Sequence, residues 1–211
     1  MLHNFSIIPE PMINRAFDKL LCDVKNCTIC AAHLPRGPRP VIWGHRTARI
    51  MIIGQAPGTK VHESGIPWND ASGRRLRDWL NLDQETFYDQ SRIAIIPMGF
   101  CYPGVNPKGG DNPPRPECAP SWHPALRRML NRVELTLLVG HYAQRWYLKD
   151  RMKKTMTETV NSYEEFLPEF LPIPHPSWRT NHWLKQNPWF ESDVIPQLQY
   201  RVHALLIEEP C

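Results

Sequence analysis

Three stretches of the chain are almost uninterrupted runs of apolar residues: RIMIIG (49–54), RIAIIPM (92–98) and LTLLVG (135–140). A strand with one wet face alternates apolar and polar residues, so runs without alternation predict strands buried on both faces, as in a parallel sheet covered by helices. A shorter, Pro-broken run, FLPIP (170–174), is the candidate fourth strand. Each run is far shorter than the roughly 20 apolar residues that cross a bilayer as a helix.

Amphipathic stretches separate these runs. Leu76, Trp79 and Leu80 share one face of SGRRLRDWLNL, and Leu126, Met129, Leu130 and Val133 share one face of HPALRRMLNRV. Residues 150–165 are polar and weakly periodic and are expected to form a peripheral helix. A last helix is expected with Asp193 as N-cap and Pro196 in its first turn, where a missing N–H costs little, and with a stripe of Val194, Ile195, Leu198, Val202, Leu205 and Leu206. Alternating strands and helices imply right-handed crossovers with helices on both faces. The expected fold is α/β: a three-layer α/β/α sandwich around a central, mainly parallel four-stranded sheet. At 211 residues the chain suits one domain, with the first ~20 residues and the C-terminal tail peripheral.

A net charge of +4 permits an anionic partner without demanding one. The N-terminus MLHNFSIIPEPMINR lacks a basic segment followed by an apolar one, so no export signal or membrane anchor is expected, and the location is read as cytoplasmic. Twenty-two prolines gather in loops such as PRGPRPV and GGDNPPRPECAP, which stiffens them.

Cysteines stand at 22, 27, 30, 101, 118 and 211. In a reducing compartment a disulfide framework is not expected. Cys27 and Cys30 form a CxxC, and Cys101 and Cys118 lie across a Pro-rich loop, so the four could converge on an iron–sulfur cluster or a structural zinc, or remain ordinary thiols. Cys22 and Cys211 have no evident partner and are read as free.

In open parallel sheets ligands sit beyond the carboxyl ends of the strands, which is where GQAPG (54–58), GFCYPG (99–104) and HPSWR (175–179) fall. GQAPG lacks the glycine spacing and lysine of a phosphate-binding P-loop. Taken in order, GQAPG, GIPWNDASGRRL and HPSWR resemble the uracil-DNA glycosylase superfamily, most closely its iron–sulfur branch, called family 4, over residues 22–205. The resemblance implies hydrolysis of the N-glycosidic bond of uracil or another deaminated base in DNA, by a monomer carrying a structural 4Fe-4S cluster on Cys27, Cys30, Cys101 and Cys118. It implies a base-holding turn at Gln55 and Ala56, a stacking aromatic at Trp68, and a hydrogen bond from His175 to the base oxygen that gathers charge as the bond breaks. Ser177, Trp178 and Arg179 would contact the duplex, with Trp178 as the wedge.

This chain departs from that pattern at three positions. Ala56 stands where many members carry the Asp or Asn that orients water, and position 55 is Gln rather than Glu, which makes Glu63 and Asp70 the candidate bases. Pro97 stands where an Asn reads the uracil edge, so Asp111 becomes a candidate for that contact, although an Asp beside Gly and Asn often caps a turn. Structural roles compete throughout: Trp68 as a core aromatic, His175 as a packing residue, Glu63 as a solvated carboxylate, and Arg74, Arg75 and Arg77 as a solvated helix face with phosphate contacts as the alternative. A different class of function, a damaged- or single-stranded-DNA-binding protein without turnover, would share the fold.

Overall fold

A computed structural model describes residues 10–207, with side chains from residue 15 onward. The chain runs α1 (Glu10–Lys25), β1 (Ile50–Ile53), α2 (Thr59–Ser64), α3 (Ala71–Leu80), α4 (Gln84–Tyr88), β2 (Ile93–Ile95), α5 (Cys118–Met129), β3 (Leu135–Val139), α6 (His141–Leu148), α7 (Met156–Asn161), β4 (Phe170–Ile173), α8 (Thr180–Gln186) and α9 (Ile195–Ile207). The four strands form one sheet in the order β2-β1-β3-β4, and every pairing is parallel.

Pleating divides the apolar runs between two cores. Ile50 and Ile52 face a layer that includes Leu76 and Leu80 of α3 and Leu198 and Val202 of α9. Met51 and Ile53 face Phe17 and Val24 of α1, Leu126 of α5 and Ala143 of α6. Successive strand side chains point to opposite faces, so a run apolar at every position is what two buried faces require. The expected three-layer α/β fold is thus the observed one.

Both outer strands are protected. Val41 N–H donates to Phe100 O at 2.7 Å, and Trp43 exchanges backbone hydrogen bonds with Ile95, which covers β2 with an antiparallel segment the apolar pattern did not announce. On the other side β4 contains Pro172, a residue that sheets accept in outer strands.

Three expectations change. Residues 150–165 are a broken path: a 3₁₀ turn at Lys149–Arg151, α7, and a second 3₁₀ turn at Tyr163–Phe166. The cause is local, because Thr155 and Glu158 form a reciprocal capping box that starts a new helix inside the stretch. The last helix does not start at Asp193: a wide turn over Phe190–Val194 runs straight into α9, and Pro188 supplies the carbonyl that accepts from Glu191 and Ser192. Val194, Leu198 and Val202 are buried, with Ile195, Leu205 and Leu206 packed beside them. The N-terminal segment is not wholly peripheral, since Phe17 is buried in the core. Residues 1–9 and the tail from 208, including Cys211, lie outside the described residues. No described helix is long and apolar enough to cross a membrane.

Candidate active site

A cavity of about 420 Å³ opens at the carboxyl ends of β1, β2 and β4. Its walls include Gln55 and Ala56 from the first turn, Trp68 and Asp70 from the loop before α3, Pro97 after β2, Asp111, and His175 with Ser177, Trp178 and Arg179 after β4. All the sequence candidates outside the cysteines, except Glu63, therefore meet at one place. Glu63 is an exposed side chain paired with Arg36 at 2.8 Å and is not part of the wall. Val61, two residues earlier on α2, does line the cavity, and two residues along a helix turn the side chain about 200° away. As a candidate base Glu63 is corrected to a surface ion-pair partner.

The first turn is held on both sides. Met98 and Gly99 donate their N–H groups to Gly54 O and Gln55 O at 2.9 and 3.0 Å, extending the β1–β2 pairing past the strands. Gln55 Nε2 donates to the Asn112 carbonyl at 2.9 Å, which leaves the Gln55 amide oxygen free for another donor. The small size of residue 54 is required: a Cβ there would lie 2.7 Å from Trp68 Cζ2, so the indole rests directly on the turn.

Trp68 adopts φ 57°, a left-handed conformation rare for a bulky residue. Tyr88 fixes the bend by donating its hydroxyl to Pro67 O at 2.9 Å, and Gly73 leaves room for the Trp68 carbonyl. Asp70 then caps α3, its Oδ1 accepting from Gly73 N–H at 2.7 Å. One carboxylate oxygen is thus used by the helix, and the group still lines the cavity.

His175 follows β4, and its carbonyl accepts from Ser177 N–H at 2.9 Å and from the Thr180 hydroxyl. Gly140, at φ 83°, passes close behind it; a methyl there would sit 3.4 Å from His175 Cβ. The imidazole makes no hydrogen bond among the described residues. Its ring centroid lies 5.6 Å from that of Trp68 with the planes 35° apart. Burial lowers its pKa, while the Asp70 charge pulls the other way, so the ring is neutral near pH 7. Asp111 is pushed up, first by burial and then by Asp70, with Arg179 opposing.

The rim joins distant segments. The Arg179 guanidinium packs onto Gly109 and Gly110, and it stacks over Trp178 at 5.2 Å from the ring centroid. Trp178 is 72% exposed, an unusual setting for an indole. The expected solvated arginine face is only partly that. Arg74 is exposed, but Arg75 Nη1 donates to Ser177 O at 2.9 Å, and Arg77 lies over Phe87 and Tyr88 at 5.4 and 5.7 Å. Nothing in the spacing of SGRRLRDWL could have distinguished these three.

Behind the Pro97 wall lies a buried histidine that sequence reading did not single out. His123 Nε2 donates to Pro97 O at 3.1 Å, so its Nδ1 accepts from the Tyr147 hydroxyl at 2.8 Å. The ring stacks on Phe100, 9° from parallel.

Cys30, Cys101 and Cys118 are buried and Cys27 is half-buried, all as free thiols, while Cys22 is exposed. Burial pushes Cys101 up to about 11 and Cys118 up to about 12, and the charges of Cys27 and Cys30 add to both, so the four thiols form one neighbourhood. Among the described residues, however, no three His, Cys, Asp or Glu side chains converge tightly enough for a single metal ion. A tetrahedral zinc with Zn–S near 2.3 Å needs sulfurs about 3.8 Å apart. The donor set itself, four thiols in one neighbourhood, is chemically that of a structural zinc or of an iron–sulfur cluster.

A cleft at the carboxyl ends of parallel strands, lined by an aromatic, a neutral histidine and a carboxylate, lies where open α/β sheets bind their ligands. The chain belongs to the uracil DNA glycosylase superfamily, whose family model matches residues 42–199. Among solved structures it is similar to one described as a "putative Uracil DNA glycosylase from Methanosarcina acetivorans", determined by NMR in solution. That likeness is 16% in sequence identity, spans 75% of this chain and 93% of that one, and has a TM-score of 0.43.

Proposed function

We propose that the protein is a DNA glycosylase that hydrolyses the N-glycosidic bond of uracil or another deaminated base extruded from DNA. The observation that carries this reading is the pairing of Trp68 with an unpartnered, neutral His175 beside Asp70 in one cavity. A base stacked between the two rings would need about 6.8 Å, two steps of 3.4 Å. With 5.6 Å between the centroids, the pose we propose has the base on the open face of Trp68 with His175 at its edge.

In that pose His175 donates to the carbonyl oxygen on which charge builds as the base leaves. Asp70 takes the proton of the attacking water, the role Ala56 has no side chain to perform. Gln55 and Asp111 meet the edge of the base. Trp178 enters the vacated stack, offsetting part of the few kcal/mol that extrusion requires, and Ser177 and Arg179 meet the phosphates. Cys27, Cys30, Cys101 and Cys118 would hold a 4Fe-4S cluster, consistent with the iron–sulfur branch of the family. The cluster would brace the loops before α5, and its test is iron content with an absorption band near 400 nm in anaerobically purified protein.

The activity test is release of free base from oligonucleotides containing uracil, hypoxanthine or xanthine. His175→Ala is expected to lower the rate by about 10²–10³-fold. Intact protein that binds such DNA but leaves all three bases in place would show a damage-binding protein instead.

A further inference from the structure

The cavity offers a base mainly hydrogen-bond acceptors. Asp70 and Asp111 bring two carboxylates, and Gln55, with its Nε2 committed to Asn112 O, offers its amide oxygen. Pro97 contributes no side-chain donor, and its carbonyl is already occupied by His123. The Asp111 carboxylate has no hydrogen-bond partner among the described residues. The two carboxylates feel one another, since the Asp70 charge raises the proton affinity of Asp111, and Arg179 is the cation that opposes it. Two negative charges against one positive charge, beside the indole of Trp68, make a site short of one cation.

A deaminated base does not supply that charge, and its carbonyl oxygens find few donors. Purines alkylated at a ring nitrogen do supply it. N7-alkylguanine and N3-alkyladenine are cations, they expose N–H groups on the edges that carboxylates and an amide oxygen accept, and a cation over an indole face is attractive. We propose that the cavity also excises such cationic alkylpurines, with Asp111 as the residue that selects them. This rests on reading the cavity as a base-excision site and widens its substrate class.

The chemistry balances without a further reactant. Water oxygen bonds to C1′ as the C1′–N9 bond breaks. The electron pair of that bond passes into the ring and cancels its positive charge, so the base leaves neutral, and the water proton goes to Asp70. No anion forms on the base, so His175 has less to stabilise than it does with uracil.

The test incubates the full chain with dimethyl sulfate-treated DNA, which carries N7-methylguanine and N3-methyladenine, and in parallel with uracil-containing DNA. Released bases are quantified by mass spectrometry against protein-free controls that measure spontaneous depurination. We expect methylated purines above the control. Asp111→Asn should lower the ratio of methylpurine to uracil release at least tenfold, Asp111→Glu should keep it, and His175→Ala should raise it. Methylpurine release at the control rate, or a ratio unmoved by Asp111→Asn and by His175→Ala, overturns the proposal. Uracil release without methylpurine release overturns it and leaves the proposed function standing. Methylpurine release without uracil release supports it and overturns the deaminated-base reading, and release of neither removes both.

Discussion

Acid should weaken this protein through one buried side chain. His123 is 2% exposed, wedged between Phe100, Tyr147 and the Pro97 carbonyl, and burial lowers its pKa to about 4 from an ordinary 6.5. Between those two values the unfolded chain carries a proton on this residue that the folded chain does not, so folding stability falls as pH falls. The contribution is fully present above about pH 6.5 and is lost as pH approaches 4. At 1.36 kcal/mol per pH unit the window is worth about 3 kcal/mol, a large share of the 5–15 kcal/mol that holds most domains folded. Urea titrations at several pH values, on wild type and His123→Gln, isolate it, because the carboxylates titrating in the same range are common to both. The variant should start less stable near neutrality, having lost its fit between Tyr147 and Pro97, and should then lose about 3 kcal/mol less than wild type by pH 4. Parallel stability curves for the two proteins would refute the reasoning.

Three further outcomes follow from the site geometry. Gly54→Ala places a methyl 2.7 Å from Trp68 Cζ2, so the indole must shift; a stability loss of about 1–3 kcal/mol by denaturant titration, with altered tryptophan fluorescence and slower base release, is expected. Asp70→Asn keeps the cap on Gly73, because Asn caps as well as Asp does, and should change stability by less than about 1 kcal/mol while lowering single-turnover base release by about 10²–10⁴-fold. Arg75→Ala removes the donor to Ser177 O at a cost of about 0.5–1.5 kcal/mol, and should raise KM for duplex DNA more than it lowers kcat.

The layers of the fold were legible because short, β-branched apolar runs without alternation, such as Ile50–Ile53, are too brief for a buried helix and suit strands covered on both faces. The antiparallel cover at Val41–Trp43 was not, since a short apolar segment in a Pro-rich stretch looks the same whether it pairs or wanders. At the site, short motifs at strand ends carried Gln55 and His175 to one cavity, because the chain direction of a parallel sheet sends every such turn to one edge, whereas Trp68, in the loop before α3, was indicated only by the family resemblance. Glu63 and Asp70 were indistinguishable as polar loop residues; the roughly 200° of helix between Val61 and Glu63 sends the first outward, and Asp70, while capping α3, still lines the cavity. Arg75 and His123 act through backbone carbonyls far away in sequence, at Ser177 and Pro97, and local spacing carries no trace of such partners.

The bond from Arg75 to the Ser177 carbonyl reaches from the helix that Asp70 caps to the loop that bears His175 and Trp178. If a duplex presses on the protruding indole, as the proposed function requires, this tether is the path by which the displacement would reach the first turn of that helix. Under the proposed function, arrival of DNA would be felt at the same joint that aligns the carboxylate and the histidine, so engagement of the strand and assembly of the reactive geometry would be one mechanical event.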